Sequence, residues 1–186
     1  MALQKNQLTR LTITAVTGEG SGVARYIDED IPAPGMVVFI PGTAVGDTIL
    51  CRIVKVLKNH AFGKVEELIT PSADRCADSG CAAYGKCGGC DFRHLTYEEE
   101  LAAKRMRVQD ALRRIGGADV EVDTIHGAQN TERYRNKVQF PVGGTSIGYY
   151  QGRTHQVVDI EDCLLQPEED TAARGAVKSW MAQYHI

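Results

Sequence analysis

Apolar and polar residues alternate along residues 8–68, a pattern typical of half-buried strands. Glycine, proline and aspartate interrupt the pattern and leave five short segments: LTITAV, GVARYI, MVVFI, TILCRIVKVL and AFGKVEEL. The glycine-rich turn GEGSG follows the first segment, and a loop with Pro32, Pro34 and Gly35 follows the second. Short strands with this punctuation predict a small closed barrel of the OB-like type over residues 1–70.

The pattern changes at residues 76–95, which are rich in cysteine and glycine and have too few aliphatic side chains to pack a core. The sequence TYEE at 96–99 is a capping box, so we expect a helix to begin there. Gly116 and Gly117 would end this helix. Its predicted apolar face consists of Leu101, Val108, Leu112 and Ile115.

A second strand-rich stretch begins near residue 120. Its predicted strands are VEVDTI, YRNKVQFPV, TSIGYY and HQVVDI. Gly143-Gly144 is typical of a hairpin turn between two of them. A closing helix over about 168–184 would carry Ala172, Ala176, Val177 and Trp180. We therefore predict a mostly β protein with some α structure, in which an OB-like barrel over 1–70 precedes an α+β domain over 71–186. Because the sequence stops at MAQYHI without a tail, this second domain is expected to be incomplete.

Composition narrows the classes of function. The net charge is −3, which argues against nucleic-acid binding by overall charge, so any RNA site must gather its basic residues locally. No apolar stretch approaches the roughly 20 residues of a membrane helix, and MALQKNQLTR lacks the features of a secretory signal. We expect a cytoplasmic, monomeric protein without membrane partners. Six cysteines in such a protein favour metal or redox chemistry over disulfides.

The most informative motif is Cys81-x5-Cys87-x2-Cys90. A Cys-x2-Cys pair directs two thiolates at one centre, and Gly88-Gly89 lets the backbone wrap tightly around it. Thiolates are soft ligands that select zinc or iron–sulfur clusters over hard cations. The alternative, a group of reduced cysteines in an ordinary core, is disfavoured because the segment is so poor in aliphatic residues.

Zinc and iron–sulfur sites both usually take four ligands, so a fourth ligand is needed. Cys76 is close in sequence and would suit a zinc knuckle, whereas Cys163 is remote and would join distant segments around a cluster. Spacing leaves both candidates open and only slightly favours a cluster over zinc. Cys51, within TILCRIV, is instead predicted to be a buried structural cysteine.

Three stretches carry a resemblance to a known family: CAAYGKCGGCDFRHLTYEEELAAKRMRV, YRNKVQF and IGYYQGRTHQVVDIEDC. Together with the preceding barrel, they closely resemble the iron–sulfur-containing RNA (uracil-5-)-methyltransferases, especially the branch that modifies 23S ribosomal RNA. The resemblance covers nearly the whole chain. It implies that residues 5–68 form a TRAM domain, an OB-like barrel that binds RNA. It also implies a [4Fe–4S] cluster with Cys76 as a bystander and with ligands Cys81, Cys87, Cys90 and Cys163.

Two groups of residues are candidates for RNA contact. The first follows the last strands of the barrel and combines cations for phosphates with an aromatic ring for stacking. It consists of Arg52, Lys55, Lys58, His60, Phe62 and Lys64. The second is Arg133, Arg135 and Lys137, which at alternate positions of a strand would share one face of a sheet. For both groups the alternative is an ordinary solvated basic surface.

The resemblance implies a reaction as well: transfer of a methyl group from S-adenosylmethionine to carbon 5 of a uridine, through a catalytic cysteine that adds to carbon 6 of a base taken out of its stack. This chemistry would belong to a Rossmann-like domain that is absent from the chain. The isolated chain is therefore expected to bind RNA weakly and to transfer no methyl group. The competing functions are a stand-alone RNA-binding protein with a zinc or redox-sensing iron–sulfur site and, less favoured, an electron-transfer protein.

Overall fold

The computed structural model describes residues 3–28 and 31–186. The chain divides into two compact units that are interleaved in sequence. The first, here called the sheet unit, contains Met1–Ala77 and Asp91–Ile125. The second, the cysteine unit, contains Asp78–Cys90 and His126–Ile186. The predicted domain bounds 1–70 and 71–186 stay a prediction. In the division into compact units, the helix that follows residue 96 belongs to the same unit as the preceding strands.

A six-stranded sheet dominates the sheet unit. Its strands are β1 (Leu8–Thr12), β2 (Ala15–Val16), β3 (Ser21–Asp28), β4 (Ile31–Pro41), β5 (Thr48–Val56) and β6 (His60–Thr70). They lie in the order β1-β5-β6-β4-β3-β2, and every pairing is antiparallel except that of β4 with β6. Alternate side chains point into one buried core, as the period-two pattern requires. Ile13, Val38, Ile40, Ile49 and Ile53 lie at its centre.

The sheet is open, so the prediction of a closed barrel is wrong. Among the described residues its two end strands, β1 and β2, do not pair; they are consecutive along the chain. At the bend between them, the amide of Ile13 donates to the carbonyl of Asp47 at 2.9 Å, and the amide of Thr14 donates to Val23 at 2.8 Å. The chain thus changes its pairing partner within two residues, because β1 pairs with β5 and β2 pairs with β3. The mostly β class with additional helices is confirmed.

The segment predicted as a proline-containing loop is the beginning of β4. Gly35 has a φ of +80°, and a Cβ there would lie 2.6 Å from the carbonyl oxygen of Tyr26. Glycine allows β4 to run close beside β3 at this position, which explains why a turn-like sequence continues a strand. The side chain of Pro32 lies outside the described residues.

The helix predicted from the capping box is α1 (Tyr97–Asp110), and the hydroxyl of Thr96 accepts a hydrogen bond from the amide of Glu99 at 3.3 Å. One wider helical turn follows over Ala111–Ile115, and Gly117 (φ +62°) lies just beyond it. The predicted apolar face is wrong, because Val108 is 50% exposed and Ile115 is 87% exposed.

Polar side chains attach α1 to the chain that follows it. Gln109 bonds the backbone of Val120 and Val122, and Arg105 donates to the carbonyl of Val122 at 3.0 Å. These hydrogen bonds replace the apolar packing that the helical periodicity predicted.

The cysteine unit has little regular structure. It contains a short hairpin, β7 (Val142–Gly143) and β8 (Ser146–Ile147), and a helix, α2 (Glu169–Tyr184). The predicted hairpin turn is confirmed, with Gly144 at φ +58°. Beyond this hairpin the predicted strands are wrong. Among the described residues, VEVDTI and YRNKVQF contain neither strand nor bridge, and TSIGYY and HQVVDI are joined only by the isolated bridge between Tyr150 and Val157.

Helix α2 has the predicted bounds but a different buried face. Trp180 is 52% exposed and Val177 is 47% exposed, whereas Arg174 and Met181 are buried. No helix among the described residues is long and apolar enough to span a membrane.

One buried ion pair fixes the end of the sheet to the linker that leaves it. The carboxylate of Asp47 is fully buried and accepts from Arg75 at 2.7 Å, from the amide of Ala44 at 2.6 Å and from the amide of Ser72 at 2.8 Å. Burial raises the pKa of Asp47, but these hydrogen bonds outweigh it, so that the net pKa lies below the ordinary value of 3.8.

We predict that Asp47→Asn lowers the free energy of unfolding by about 3 kcal/mol, because it leaves the Arg75 guanidinium without its carboxylate partner. Urea unfolding followed by circular dichroism measures the loss. In the control Glu100→Gln, which removes an exposed ion pair with Lys104, the loss should stay below about 1 kcal/mol. Equal losses in the two variants would contradict the assignment.

The same pair predicts a pH dependence. Since the folded pKa of Asp47 is depressed, its contribution is present above the ordinary value of 3.8 and is lost as the pH falls below it through the folded pKa. The difference in stability between wild type and Asp47→Asn should therefore shrink on acidification below that value.

Candidate functional site

Three aromatic rings cluster on the outward face of the parallel pair β4 and β6. Phe39 lies opposite Phe62 in the register, with ring centroids 5.8 Å apart. The ring of His60 lies 5.2 Å from Phe62 and 5.6 Å from Phe39. Because Val38 and Ala61 are fully buried, their sequence neighbours on each strand face outward. The rings thus form a partly exposed apolar surface on the sheet.

Basic residues surround this cluster. Lys55 lies opposite Phe62 across β5 and β6, and Arg52 lies opposite Lys64. Lys55 and Lys58 are exposed and form no ion pair with any residue in 3–28 or 31–186. Five members of the first predicted group therefore lie on the neighbouring strands β5 and β6, and Lys58 lies in the turn that joins them. We call this surface the aromatic face and define it as Phe39, Arg52, Lys55, Lys58, His60, Phe62 and Lys64.

A carboxylate that the sequence analysis missed adjusts the charge of the aromatic face. Glu66 accepts from Arg52 at 2.7 Å and from Lys64 at 2.9 Å. Its hydrogen bonds with Arg52 and then Lys64 lower the pKa of Glu66 to about 2. It thereby neutralises part of the charge of both cations, and Lys55 and Lys58 remain as the accessible cations of this surface.

Phe39 was the second omission. It lies in the predicted strand MVVFI, and only the parallel register with β6 places it beside Phe62. No local sequence signal could have found this pairing, since the two phenylalanines meet through strands that are not consecutive in the chain.

The second predicted basic group does not share one face of a strand. Arg133 has a φ of +56° and donates to both carboxylate oxygens of Asp162, at 2.9 and 2.8 Å, and to the carbonyls of Cys163 and Gln166. Its hydrogen bond is the main reason why the pKa of Asp162 is lowered to about 2. The strand prediction was wrong because this guanidinium is used inside the unit to hold residues 162–166.

The other two members of the group are placed differently. A hydrogen bond with Tyr149 raises the pKa of Arg135, whose amide donates to the carbonyl of Leu165 at 2.8 Å. Lys137 is exposed at the edge of a groove. Their predicted contact with RNA stays a prediction.

Four cysteines meet in the cysteine unit. Cys163 is buried with Ile160 and Leu165, and half-buried Cys87 and Cys90 pack against them. Burial raises the pKa of the Cys87 thiol, and the neighbouring Cys81 and Cys163 raise it further. The set of four is Cys81, Cys87, Cys90 and Cys163.

The two remaining cysteines belong to the sheet unit. Cys51 is fully buried in the core, as predicted, and burial raises its pKa to about 11. Cys76 is exposed, and its amide donates to the carbonyl of His94 at 3.0 Å. None of the six cysteines forms a disulfide.

The backbone shapes this cysteine cluster through tight turns. The amide of Cys87 donates to Ala83 at 2.9 Å, and the amide of Gly88 donates to Tyr150 at 2.9 Å. The sulfur of Cys87 accepts from the amide of Gly89 at 3.4 Å. Amide donors of this kind stabilise a thiolate, the form in which cysteine binds a metal.

The donor set fits a thiolate-ligated cluster in chemistry. It offers four cysteines, three of them half-buried and one buried, with aliphatic and aromatic neighbours that limit access of water. Among the described residues, no three His, Cys, Asp or Glu side chains form a site for a single metal ion. A [4Fe–4S] cluster needs a wider spacing of its ligands than a single ion does, because each thiolate binds a separate iron atom.

The chain is similar to known proteins in sequence. Residues 3–65 match the family model of the TRAM domain. An uncharacterized RNA methyltransferase of Clostridium tetani is 37% identical over an alignment of 188 positions, which covers 99% of this chain and 39% of that protein. One of Listeria monocytogenes serotype 4b is 40% identical over an alignment of 186 positions, which covers 98% of this chain and 39% of that protein.

A solved structure is also similar: the Pyrococcus abyssi tRNA (uracil-54, C5)-methyltransferase in complex with S-adenosyl-L-homocysteine. The TM-score is 0.67 at 23% identity, and the match covers 95% of this chain and 37% of the other. At this level of identity the match establishes the fold alone.

These findings define a TRAM-domain protein whose sheet unit carries an aromatic and basic outer face. The resemblance found in the sequence is confirmed at the level of a TRAM-bearing RNA methyltransferase: residues 3–65 match the TRAM domain, and the chain is similar over nearly its whole length to proteins named RNA methyltransferases. It spans about two fifths of the length of the curated relatives it matches.

We predict that Gly88→Ala destabilises the cysteine unit by about 1–3 kcal/mol, because the added Cβ would lie 2.8 Å from the carbonyl oxygen of Tyr150. In the control Gly152→Ala, the Cβ would meet nothing within 4 Å, and the change should stay within about 0.5 kcal/mol. Urea unfolding followed by the fluorescence of Trp180, the single tryptophan, reports on this unit. A tolerated Gly88→Ala would contradict the close approach of the backbone.

Proposed function

We propose that this chain is the RNA-recognition and [4Fe–4S]-binding portion of a 23S rRNA (uracil-5-)-methyltransferase. The observation that carries the proposal is the aromatic face, where Phe39, His60 and Phe62 lie together beside Lys55. The TRAM match and the RNA methyltransferases among the relatives support it. The proposal includes a cytoplasmic, monomeric protein.

The aromatic face has the two components that single-stranded RNA requires. Bases stack on aromatic side chains for about 1–3 kcal/mol each, and nearby cations follow the phosphates. In a chain with a net charge of −3, this local grouping supplies the positive charge that RNA binding requires. The carboxylate of Glu66 holds the side chains of Arg52 and Lys64 in place and partly neutralises their positive charge.

The cysteine cluster would hold the [4Fe–4S] group through Cys81, Cys87, Cys90 and Cys163. When bound, this group supplies covalent cross-links between segments that have little apolar core of their own. The protein's part is to bring residues 81–90 and residue 163 together, and Arg133 contributes by bonding the carbonyl of Cys163 at 3.2 Å. Cys76, in the sheet unit, is proposed to take no part.

Methyl transfer from S-adenosylmethionine to carbon 5 of a uridine is proposed for the longer protein, with both the donor site and the nucleophile outside residues 1–186. The role of this chain is to bind and orient the RNA. The residues of the aromatic face would hold bases by stacking and phosphates by charge, and Arg133, Arg135 and Lys137 stay candidates for a second contact.

We predict that Phe39→Ala and Phe62→Ala each weaken binding of a short single-stranded RNA about tenfold, because each removes a stacking surface. Lys55→Ala should weaken binding and reduce the dependence of affinity on salt by about one phosphate contact. Fluorescence anisotropy with a labelled oligonucleotide measures both effects. Met106→Ala, at an exposed position of α1, serves as the control. Unchanged affinity in all three variants of the aromatic face would refute RNA binding there.

The cluster is tested by iron, zinc and sulfide analysis of protein purified without oxygen. We expect iron and sulfide in wild type and in Cys76→Ala, and their loss in Cys163→Ala, because only the latter removes a proposed ligand. Loss in Cys76→Ala with retention in Cys163→Ala would reverse the choice of the fourth ligand. Zinc without sulfide would favour the stand-alone RNA-binding alternative.

A further inference from the structure

An open groove of about 480 Å³ lies in the cysteine unit between α2 and residues 136–147. Its walls are mostly apolar and include Val138, Phe140, Val142 and Val177. Sites for small organic groups have this size and character, with a few polar side chains that set orientation. The groove plays no part in the aromatic face or the cysteine cluster, so its polar groups need their own explanation.

Arg174 lies in the wall of this groove and has one unpaired nitrogen. The residue is 6% exposed, and its guanidinium lies over the ring of Phe140 at 4.8 Å. Its terminal nitrogens donate to Glu161, Gln166 and Thr171. Its Nε is buried and has no partner within the described part of the chain. A buried N–H without an acceptor is costly, so a ligand in the groove that displaces the atoms covering Nε and accepts from it would relieve this cost.

Asp170 supplies the complementary acceptor. It lies one helical turn before Arg174, and both residues line the groove. Its carboxylate makes no hydrogen bond or ion pair with residues of the described ranges. The two side chains therefore offer one unpaired donor and one unpaired acceptor on the same face of α2.

This pair of groups selects the chemistry of the ligand. A carboxylate at the groove disfavours an anion such as phosphate, because like charges repel. A neutral planar ring that carries an acceptor beside a donor satisfies both groups, and the hydrogen-bonding edge of a nucleobase has this arrangement. Lys137, exposed at the rim, would then meet the phosphate attached to that nucleotide.

We infer that this groove holds one unstacked base of a bound single-stranded RNA, read on its hydrogen-bonding edge by Asp170 and Arg174. The inference rests on the proposed RNA-binding function and adds a second, base-reading contact in the other unit of the chain. Stacking on the aromatic face is tolerant of base identity, whereas the groove would respond to the atoms of the base edge.

The test compares two labelled probes, an oligouridylate and the same oligomer methylated at N3 of each uracil, by fluorescence anisotropy with the whole chain. N3 methylation removes the donor of the base edge and leaves the ring able to stack. We expect wild type to bind the unmodified probe on the order of tenfold more tightly. Asp170→Ala should abolish most of this preference, because it removes the acceptor.

Glu169→Ala is the matched control. It removes the same charge from the same turn of α2, but Glu169 does not line the groove, so the preference should persist. Val177→Phe, which fills the groove from an exposed position, should also remove the preference without unfolding the protein. Circular dichroism checks that each variant is folded.

The outcomes separate this inference from the proposed function. If wild type binds both probes equally, or if Asp170→Ala and Glu169→Ala behave alike, the groove does not read a base, although RNA binding by the aromatic face stands. If wild type binds neither probe, the proposed function and this inference fall together. Phe62→Ala should weaken binding of both probes equally and leave the preference for the unmodified probe intact. This result would support separate RNA contacts at the aromatic face and at the groove.

Discussion

The arrangement of the cysteine unit depends on the guanidinium of Arg133. It donates to both oxygens of Asp162 and to the carbonyls of Cys163 and Gln166, and so fixes a turn that has no strand or helix to define it. Cys163 enters the cysteine cluster from one side of this turn. Gln166, fully buried, bonds Tyr149 and Arg174 from the other side.

This dependence explains why two proposed sites share a unit with so little apolar core. The buried cluster consists of Ile160, Cys163 and Leu165 with a few partly buried neighbours, which is a small area from which to gain hydrophobic stabilisation. Charge-assisted hydrogen bonds therefore contribute a larger share of the stability of this unit than they do in a domain with a large apolar core. Each is about twice as strong as a neutral hydrogen bond. Metal ligation by the four cysteines would complete it, in the manner of small domains that cannot build a sufficient core.

Local signals in the sequence predicted the parts that are determined locally. The capping box places the start of α1, and alternation locates β5 and β6 nearly to the residue. Glycine pairs follow the wider helical turn after α1 and form the turn of the β7–β8 hairpin. The cysteine spacing identified the three half-buried cysteines, and the resemblance selected Cys163, which the structure places beside them.

The errors have a common physical origin in long-range contacts. Phe39 joins the aromatic face only through a parallel register, Arg133 leaves its predicted strand to bond residues about thirty positions later, and the buried face of α2 is set by Arg174 and not by its apolar residues. The periodicity of apolar residues shows which side chains of one element could be buried together. It does not show which distant segment of the chain covers them.

The interleaving of the two units has a consequence for synthesis on the ribosome. Residues 81–90 leave the ribosome early, while Cys163 follows about seventy residues later, roughly 4–14 s at ordinary rates of translation. The sheet unit is complete at Ile125, before the last thiol has been made. A nascent chain therefore carries the three thiols of residues 81–90 before Cys163 is made, and delivery of iron and sulfide to the proposed cluster would have to wait for the fourth thiol.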